Sequence, residues 1–294
     1  MLFRSTTGIT HSAALNSTGS VVIWGSQNVL NQGRTFSNTV QIASGDNHVV
    51  MLRNGGGLLV AGGTVAQRTL PSGFNCGGTV LCDPNRAAVA VAAGRDSSIV
   101  LSANGDITQW GSARAVPAGA ATDMVRIFAT GNIYAGIKND GTLILWGAVD
   151  TLDISTLNGA SRFGSSGAMY ITMPNMNGVV DVESAAWGIA LIRRSGFIDR
   201  AAYYTKSLPD LPATRVAQLG IHPNHATGLA LTYGVTAAIP SPTAELRLNS
   251  TAIEQFSQAG NVVAWGDGSD VRAVPAAARD GNRSEEHTSE LQSR

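Results

Sequence analysis

The stretch KNDGTLILWG, Lys138 to Gly147, joins an Asp-Gly turn to an alternating apolar run that closes on Trp-Gly. Near copies end SVVIWG at Gly25, DITQWG at Gly111 and NVVAWG at Gly266, so four of the five tryptophans precede a glycine. Each of these tryptophans also follows a turn glycine by five residues: Gly19 to Trp24, Gly105 to Trp110, Gly141 to Trp146 and Gly260 to Trp265. Polar-Gly between two short runs rich in β-branched residues is a hairpin signal, because glycine enters positive φ without steric cost. The pattern predicts a type I′ turn at each of these glycines.

Working outward, a second glycine leads each copy. Gly8, Gly45 and Gly94 stand eleven residues before Gly19, Gly56 and Gly105, and Gly131 stands ten before Gly141. Upstream of the leading glycines lie the short strands VQIAS, AVAVAA and VRIFAT, whose small residues suit a crowded position. Weaker copies place Gly196 and Gly234 in the turn, with Ala201 and Ile239 where Trp is expected, and a last half copy ends at Trp265. Turn glycines are spaced by 37, 49, 36, 55, 38 and 26 residues, which makes six or seven units. Strands this short cannot bury a face alone, so repetition at this period predicts an all-β chain: a β-propeller of six or seven four-stranded blades.

Composition agrees. Charged residues are 14% and cancel to zero, while 34 glycines favour turns and strands over long solvated helices. The arginines form no run, and only Lys138 and Lys206 are lysines, so the charge pattern does not suggest phosphate-directed nucleic-acid binding. No apolar run approaches the roughly 18 to 20 residues a spanning helix needs, so no membrane insertion is expected. RSEEHTSELQS, Arg283 to Ser293, reads as the translation of a sequencing-library adapter. Residues 283–294 are therefore set apart as non-native, leaving one propeller domain over 1–282, whose ends fit either ring closure or a longer protein cut at both ends. AVPAAARDGN, Ala273 to Asn282, joined to MLFRSTTGITHSAAL would recreate the internal junction at Ala115 to Ile137, as ring closure would require.

A leading Gly with His three positions on (His11, His48), a small-residue strand, NG or DG, and a closing WG resemble the repeat of the regulator of chromosome condensation family. VVAWG and AVPAG look most like its bacterial branch, which includes secreted type II beta-lactamase inhibitory proteins, seven-bladed propellers that bind protein partners through loops on one face. The resemblance implies partner contacts at the two residues after each leading glycine. These are Ile9 and Thr10, then Asp46 and Asn47, Arg95 and Asp96, and Asn132, a more polar set than the aromatic contacts of those inhibitors. The exchange-factor activity of the eukaryotic founder is not expected to carry over, since no basic chromatin-binding tail or exchange-specific insertion aligns.

Residues that break the repeat carry the remaining functional expectations. Trp187 lies outside the hairpin pattern where partner-facing loops are expected, and is taken as a contact candidate. The other tryptophans and the two repeat histidines read as packing. Cys76 and Cys82, in an insertion, fit a surface disulfide in an exported protein or free thiols in the cytosol, and the disulfide is preferred. HPNH (His222, His225) lacks a third strong ligand, so no metal is expected. Asp150 and Asp153 read as loop residues. Sialidase-type Asp boxes carry Trp about three residues after their glycine rather than five, and no triad or paired-carboxylate signature stands out. The expectation is a non-enzymatic, cofactor-free, monomeric scaffold for a protein partner, with a lean to secretion. The alternative is a carbohydrate-binding or structural propeller of a larger secreted, surface or virion protein.

Overall fold

A computed structural model describes residues 4–25, 36–76, 82–112, 115–165, 167–206, 216–221, 227–233 and 259–266. The regular secondary structure of the described chain is almost wholly strand and forms six antiparallel sheets in sequence order. The first holds β1 (Arg4–Thr7), β2 (His11–Leu15) and β3 (Val21–Gly25). The second holds β4 (Thr39–Ser44), β5 (His48–Arg53) and β6 (Leu58–Gly62), followed by the short helix α1 (Val65–Arg68). The third holds β7 (Ala88–Ala93), β8 (Ser97–Ser102) and β9 (Ile107–Gly111). The fourth holds β10 (Met124–Thr130), β11 (Ile133–Lys138) and β12 (Leu143–Gly147), extended by β14 (Tyr170–Met173) and β13 (Ser161–Phe163). The fifth holds β15 (Val179–Ala185), β16 (Gly188–Arg193) and β17 (Ile198–Ala202); the sixth holds β18 (Val216–Ile221), β19 (Thr227–Tyr233) and β20 (Ala259–Gly266).

Four expectations are corrected at this level. Among the described residues no sheet has four strands: five have three and one has five. Where a fourth strand is expected, the third strand keeps a single backbone bond, from Val21 N to the Phe36 carbonyl, Leu58 N to Phe74, and Ile107 N to Ala121. Among the described residues, only the insertion after β12 lays down full outer strands.

The hairpin turns are not type I′. Gly19, Gly105 and Gly141 have φ of 81°, 86° and 85°, but Thr18, Asn104 and Asp140 before them are not among the positive-φ residues. In the third sheet Gly105 N donates to the Ser102 carbonyl and Ser102 N to that of Asp106. This is the three-residue hairpin, a type I turn followed by a left-handed glycine. Asn and Asp precede glycine here because their side chains cap the turn, as Asn104 Oδ1 does for the Asp106 amide.

The last two weak copies are one hairpin. β19 pairs with β20, with Gly228 opposite Trp265, so the strand completing this sheet is the NVVAWG segment and not the one after Gly234. The 26-residue spacing therefore falls inside a single sheet. Ile239 and the 273–282 junction lie outside the described residues.

The chain divides into two compact units, residues 1–150 with 162–172 and residues 151–161 with 173–294. In the first unit the sheets pack face to face, with a separate apolar cluster at each interface. Leu15, Val49 and Met51 lie between sheets one and two; Val50, Leu52, Val100 and Trp110 between two and three; Ile99, Leu101, Tyr134 and Trp146 between three and four. Both faces of the middle sheets are thus buried, which is why β5 and β8 read as continuous apolar runs rather than alternating ones. The Gln41 side chain stitches sheet two to sheet three, accepting from Val91 N at 3.1 Å and donating to its carbonyl at 3.0 Å. In the second unit Ala190, Ile192, Trp187 and Val216 form the cluster.

Trp110 and Trp146 face the sheet before their own. Trp110 Nε1 donates to the Gln67 carbonyl at 2.9 Å and Trp146 Nε1 to Gln109 Oε1 at 3.0 Å, and Trp146 stacks on Tyr134. Trp24 departs from the expected packing role: it is 44% exposed against 1% for Trp146. Its sheet is the first of the unit, so no sheet within that unit precedes it. Trp146→Ala should therefore cost about 3–5 kcal/mol, whereas Trp24→Ala should cost under about 1 kcal/mol; urea denaturation midpoints of the two variants against the parent test the contrast.

Candidate functional site

The turns after the leading glycines are built by two close contacts. In the three sheets where it is seen, the leading glycine N donates to the carbonyl three residues on: Gly8 to His11, Gly45 to His48 and Gly94 to Ser97. Two residues are left at the tip of each turn. A side chain on Gly94 would sit 2.6 Å from the Gly131 carbonyl oxygen, and Gly8 and Gly45 stand equally tight against the carbonyls of Gly45 and Gly94. Neighbouring turns are thus pressed together backbone to backbone. Ile9 N donates to the Asp46 carbonyl at 3.1 Å and Arg95 N to that of Gly131 at 2.6 Å.

This brings most of the expected partner-contact residues into one row at one end of neighbouring sheets. Asn47, Arg95, Asp96 and Asn132 are exposed and Asp46 is partly covered. Arg95 Nε lies 3.0 Å from Asp46 Oδ2, so an ion pair joins the turns of sheets two and three. Burial pushes the Asp46 carboxyl above its ordinary range, while Arg95 pulls it back. An ion pair this open contributes about 0–1 kcal/mol, so its main effect is to orient Arg95. Asp96 and Asn132 are held by their backbones: their carbonyls accept from Ser112 N at 3.0 Å and Ala148 N at 2.9 Å. The closing glycine permits this return, for a Cβ on Gly147 (φ 95°) would strike the Asn132 carbonyl.

Trp187 does not join the row. It is 3% exposed and packs with Ala190, Ile192 and Val216, so its expected role as a partner contact is corrected to core. It immediately precedes Gly188, which starts β16, and the ring turns inward from there rather than out of the turn.

Beneath the turns runs a polar layer that the repeat hid. Residues three after the leading glycines are His11, His48, Ser97 and Tyr134, all buried. His11 Nε2 lies 3.3 Å from Ser44 Oγ, His48 Nε2 lies 2.7 Å from Ser98 Oγ, and Ser97 Oγ lies 2.8 Å from the Tyr134 hydroxyl. Burial lowers the His11 pKa, and burial followed by the nearby His11 lowers that of His48 to about 4. Burial likewise raises the Tyr134 hydroxyl. The shared +3 position is the sequence signal for these groups.

Asp181 and Glu183 on β15 were missed, because nothing in VVDVESA marks its carboxylates as covered. Burial and then the neighbouring Asp181 push the Glu183 carboxyl up to about 8. Asp153 caps the turn at Ile154–Thr156 through Ser155 N, in keeping with a loop role. Cys76 and Cys82 are joined as a disulfide with Cα atoms 5.2 Å apart. Among the described residues no group of three His, Cys, Asp or Glu is placed to hold a metal, and no helix is long and apolar enough to cross a membrane. His222 and His225 lie outside the described residues.

No family model matches the chain, and no curated protein matches it by sequence. Solved structures do. Prp20p from Saccharomyces cerevisiae is similar at 16% identity and TM-score 0.54, over 78% of this chain and 69% of that one. Human WBSCR16 is similar at 15% and 0.52, over 79% and 75%. The entire ectodomain of the Physcomitrella patens receptor kinase CR4 is similar at 15% and 0.52, over 92% of this chain and 63% of that one. The chain thus spans somewhat under two thirds of the moss ectodomain. At these identities the likeness shows the fold, which is of the β-propeller type found in Prp20p, the yeast RCC1.

Two outcomes follow from the buried groups and the disulfide. Glu183 keeps its proton in the folded chain up to about pH 8 but loses it near 4.5 when unfolded, so the stability it contributes is full below 4.5 and is lost as pH rises through 8. By urea denaturation, Glu183→Gln should match the parent's stability at pH 4 and exceed it at pH 9 by up to about 5 kcal/mol, at about 1.4 kcal/mol for each unit of the shift. Without reductant, Cys76 and Cys82 should resist alkylation in urea, as intact mass reads directly. Reduction should cost about 2 kcal/mol by loop entropy.

Proposed function

We propose that this chain is a non-enzymatic β-propeller scaffold that binds a protein partner through the turns after its leading glycines. The observation that carries the reading is the row itself. Asp46, Asn47, Arg95, Asp96 and Asn132 come from successive repeats and stand side by side at one end of the sheets, on turns held by backbone contacts, with all but Asp46 exposed. A rigid row of polar side chains on packed sheets is suited to recognising a surface, since the frame loses little freedom on binding. Prp20p, which shares the fold, binds Gsp1p and histones. Its partners are not assigned to this chain.

In this reading the protein is a monomeric propeller of six or seven blades over residues 1–282, of the bacterial and secreted kind, and residues 283–294 are adapter-derived. A second reading, a carbohydrate-binding or structural propeller of a larger protein, draws support from Phe163 and Tyr170. Their rings stack 5.4 Å apart on β13 and β14, with Phe163 about half exposed.

The test is a paired charge reversal, Arg95→Glu with Asp96→Arg, on immobilised protein incubated with a bacterial extract. Loss of a specifically retained protein by tenfold or more, with an unchanged far-ultraviolet spectrum, is expected. Retention undiminished in the double variant but abolished by Phe163→Ala and by free sugars would replace the first reading with the second.

A further inference from the structure

The insertion between β6 and β7 falls outside the repeat, and one of its residues reaches the proposed binding row. α1 is only four residues long, and its capping box is closed by Gln67: Oε1 accepts from Thr64 N at 2.6 Å and Gln67 N donates to Thr64 Oγ1 at 3.4 Å. A capping box satisfies a helix end and nothing more. Gln67, however, is 4% exposed and uses its remaining groups on other elements. Its Nε2 lies 3.2 Å from His48 Nδ1, at the start of β5, and 3.4 Å from the Arg95 carbonyl, in the turn of the next sheet. Its own carbonyl accepts from Trp110 Nε1 on β9.

The donors and acceptors in this cluster are decided by chemistry. An amide nitrogen can only donate, so His48 Nδ1 is the acceptor and the ring proton sits on Nε2. That proton points to Ser98 Oγ, 2.7 Å away on β8. His48 must be neutral for both contacts to hold, and its burial favours that form. Of the charged and titratable groups on the neighbouring elements, His11 on β2 acts on it; Asp46 lies in its own turn, Arg68 on α1, and Arg95 and Asp96 in the turn of the next sheet.

We infer that Gln67 is a positioning residue for the binding row: through its amide hydrogens, shared between His48 Nδ1 and the Arg95 carbonyl, it sets the Arg95–Asp96 turn of sheet three against sheet two. The inference rests on the proposed function only in giving that turn a partner to meet. Arg95 is then held from three directions, by Gln67 at its carbonyl, by the Gly131 carbonyl at its amide and by Asp46 at its guanidinium. An inserted loop outside the repeat would thereby control one repeat's contact residues without touching the partner. A turn held this way presents its side chains in one arrangement rather than several, which is the condition for a selective surface.

Gln67→Glu separates this role from helix capping. Glutamate retains the oxygen that accepts from Thr64 N but has no hydrogen for His48 Nδ1 or the Arg95 carbonyl. The readouts are amide hydrogen exchange at Arg95 and the His48 imidazole titration, both by nuclear magnetic resonance. Gln67→Glu should speed Arg95 exchange at pH 7 by tenfold or more and leave the β16 amides unchanged. His48 should titrate higher, towards the ordinary histidine range, because a carboxylate favours the imidazolium where an amide donor opposed it. Should the buried charge prevent folding, Gln67→Met against the cap-only variant Thr64→Val gives the same decision: Arg95 exchange rises in the first and not in the second. Unchanged Arg95 exchange in Gln67→Glu, or an equal rise in Thr64→Val, overturns the inference. Neither readout uses a partner. Faster Arg95 exchange with partner retention intact in the charge-reversed chain would remove the binding reading alone, and unchanged exchange with retention lost would remove the role of Gln67 alone.

Discussion

The contact on which the first unit depends is the meeting of leading glycines. Gly8, Gly45 and Gly94 each lie against the carbonyl of the next leading glycine in the series that ends at Gly131, with no room for a single methyl group. At the opposite end of the sheets the turn glycines repeat the device: the carbonyls of Gly19, Gly56 and Gly105 accept from Thr39, Ala88 and Met124 of the following sheet. The sheets are therefore joined by backbone at both ends, and side chains fill the space between. Hydrophobic burial supplies the driving force, but it is non-directional. The glycines convert it into one spacing and one register.

This arrangement explains where polar groups are tolerated. Close approach at the turn end would trap bare donors and acceptors, and the +3 residues answer that need. His48 meets Ser98 and Ser97 meets Tyr134, each bond crossing from one sheet to the next. The layer lies directly beneath the exposed pairs, so the tips vary in chemistry while the frame under them is constant. Ile9 and Thr10, Asp46 and Asn47, and Arg95 and Asp96 differ in charge, size and polarity on turns of the same build. A fold that separates architecture from recognition in this way lets partner choice change without cost to packing.

The insertions matter for the same reason. The repeat can place Arg95 at a tip but contains nothing that fixes its carbonyl. Gln67, from a loop with no counterpart in the other described repeats, reaches that carbonyl from the neighbouring sheet. The insertion after β12 does something different, adding β13 and β14 to one sheet and bringing Phe163 and Tyr170 to its edge. Features that distinguish this chain from a plain repeat are thus concentrated where the glycine spacing lengthens to 49 and 55 residues.

The hairpins that end at Gly25, Gly111 and Gly147 were legible in the residues alone, because glycine at a fixed interval from Trp reports a hairpin, whereas the turn type, the partner of β19 and the outer strands β13 and β14 were not. The two positions after each leading glycine were pointed to by the family resemblance, and the structure sets most of them side by side at one end of the sheets. Trp24 and Trp146 share a motif yet differ in burial, since burial depends on whether a sheet precedes them and no local pattern records that. Trp187 was misplaced for a related reason: a Trp before Gly at the start of a strand can turn in or out, and only the neighbouring strands decide. The role of Gln67 was invisible, because its partners His48, Arg95 and Trp110 lie 19, 28 and 43 residues away. Sequence by itself determined the repeat, since glycine positions follow from backbone sterics over a few residues. Tertiary structure alone decided which faces meet, which tryptophan is covered and which side chain holds the Arg95 turn, since those contacts join segments that sequence periodicity does not relate.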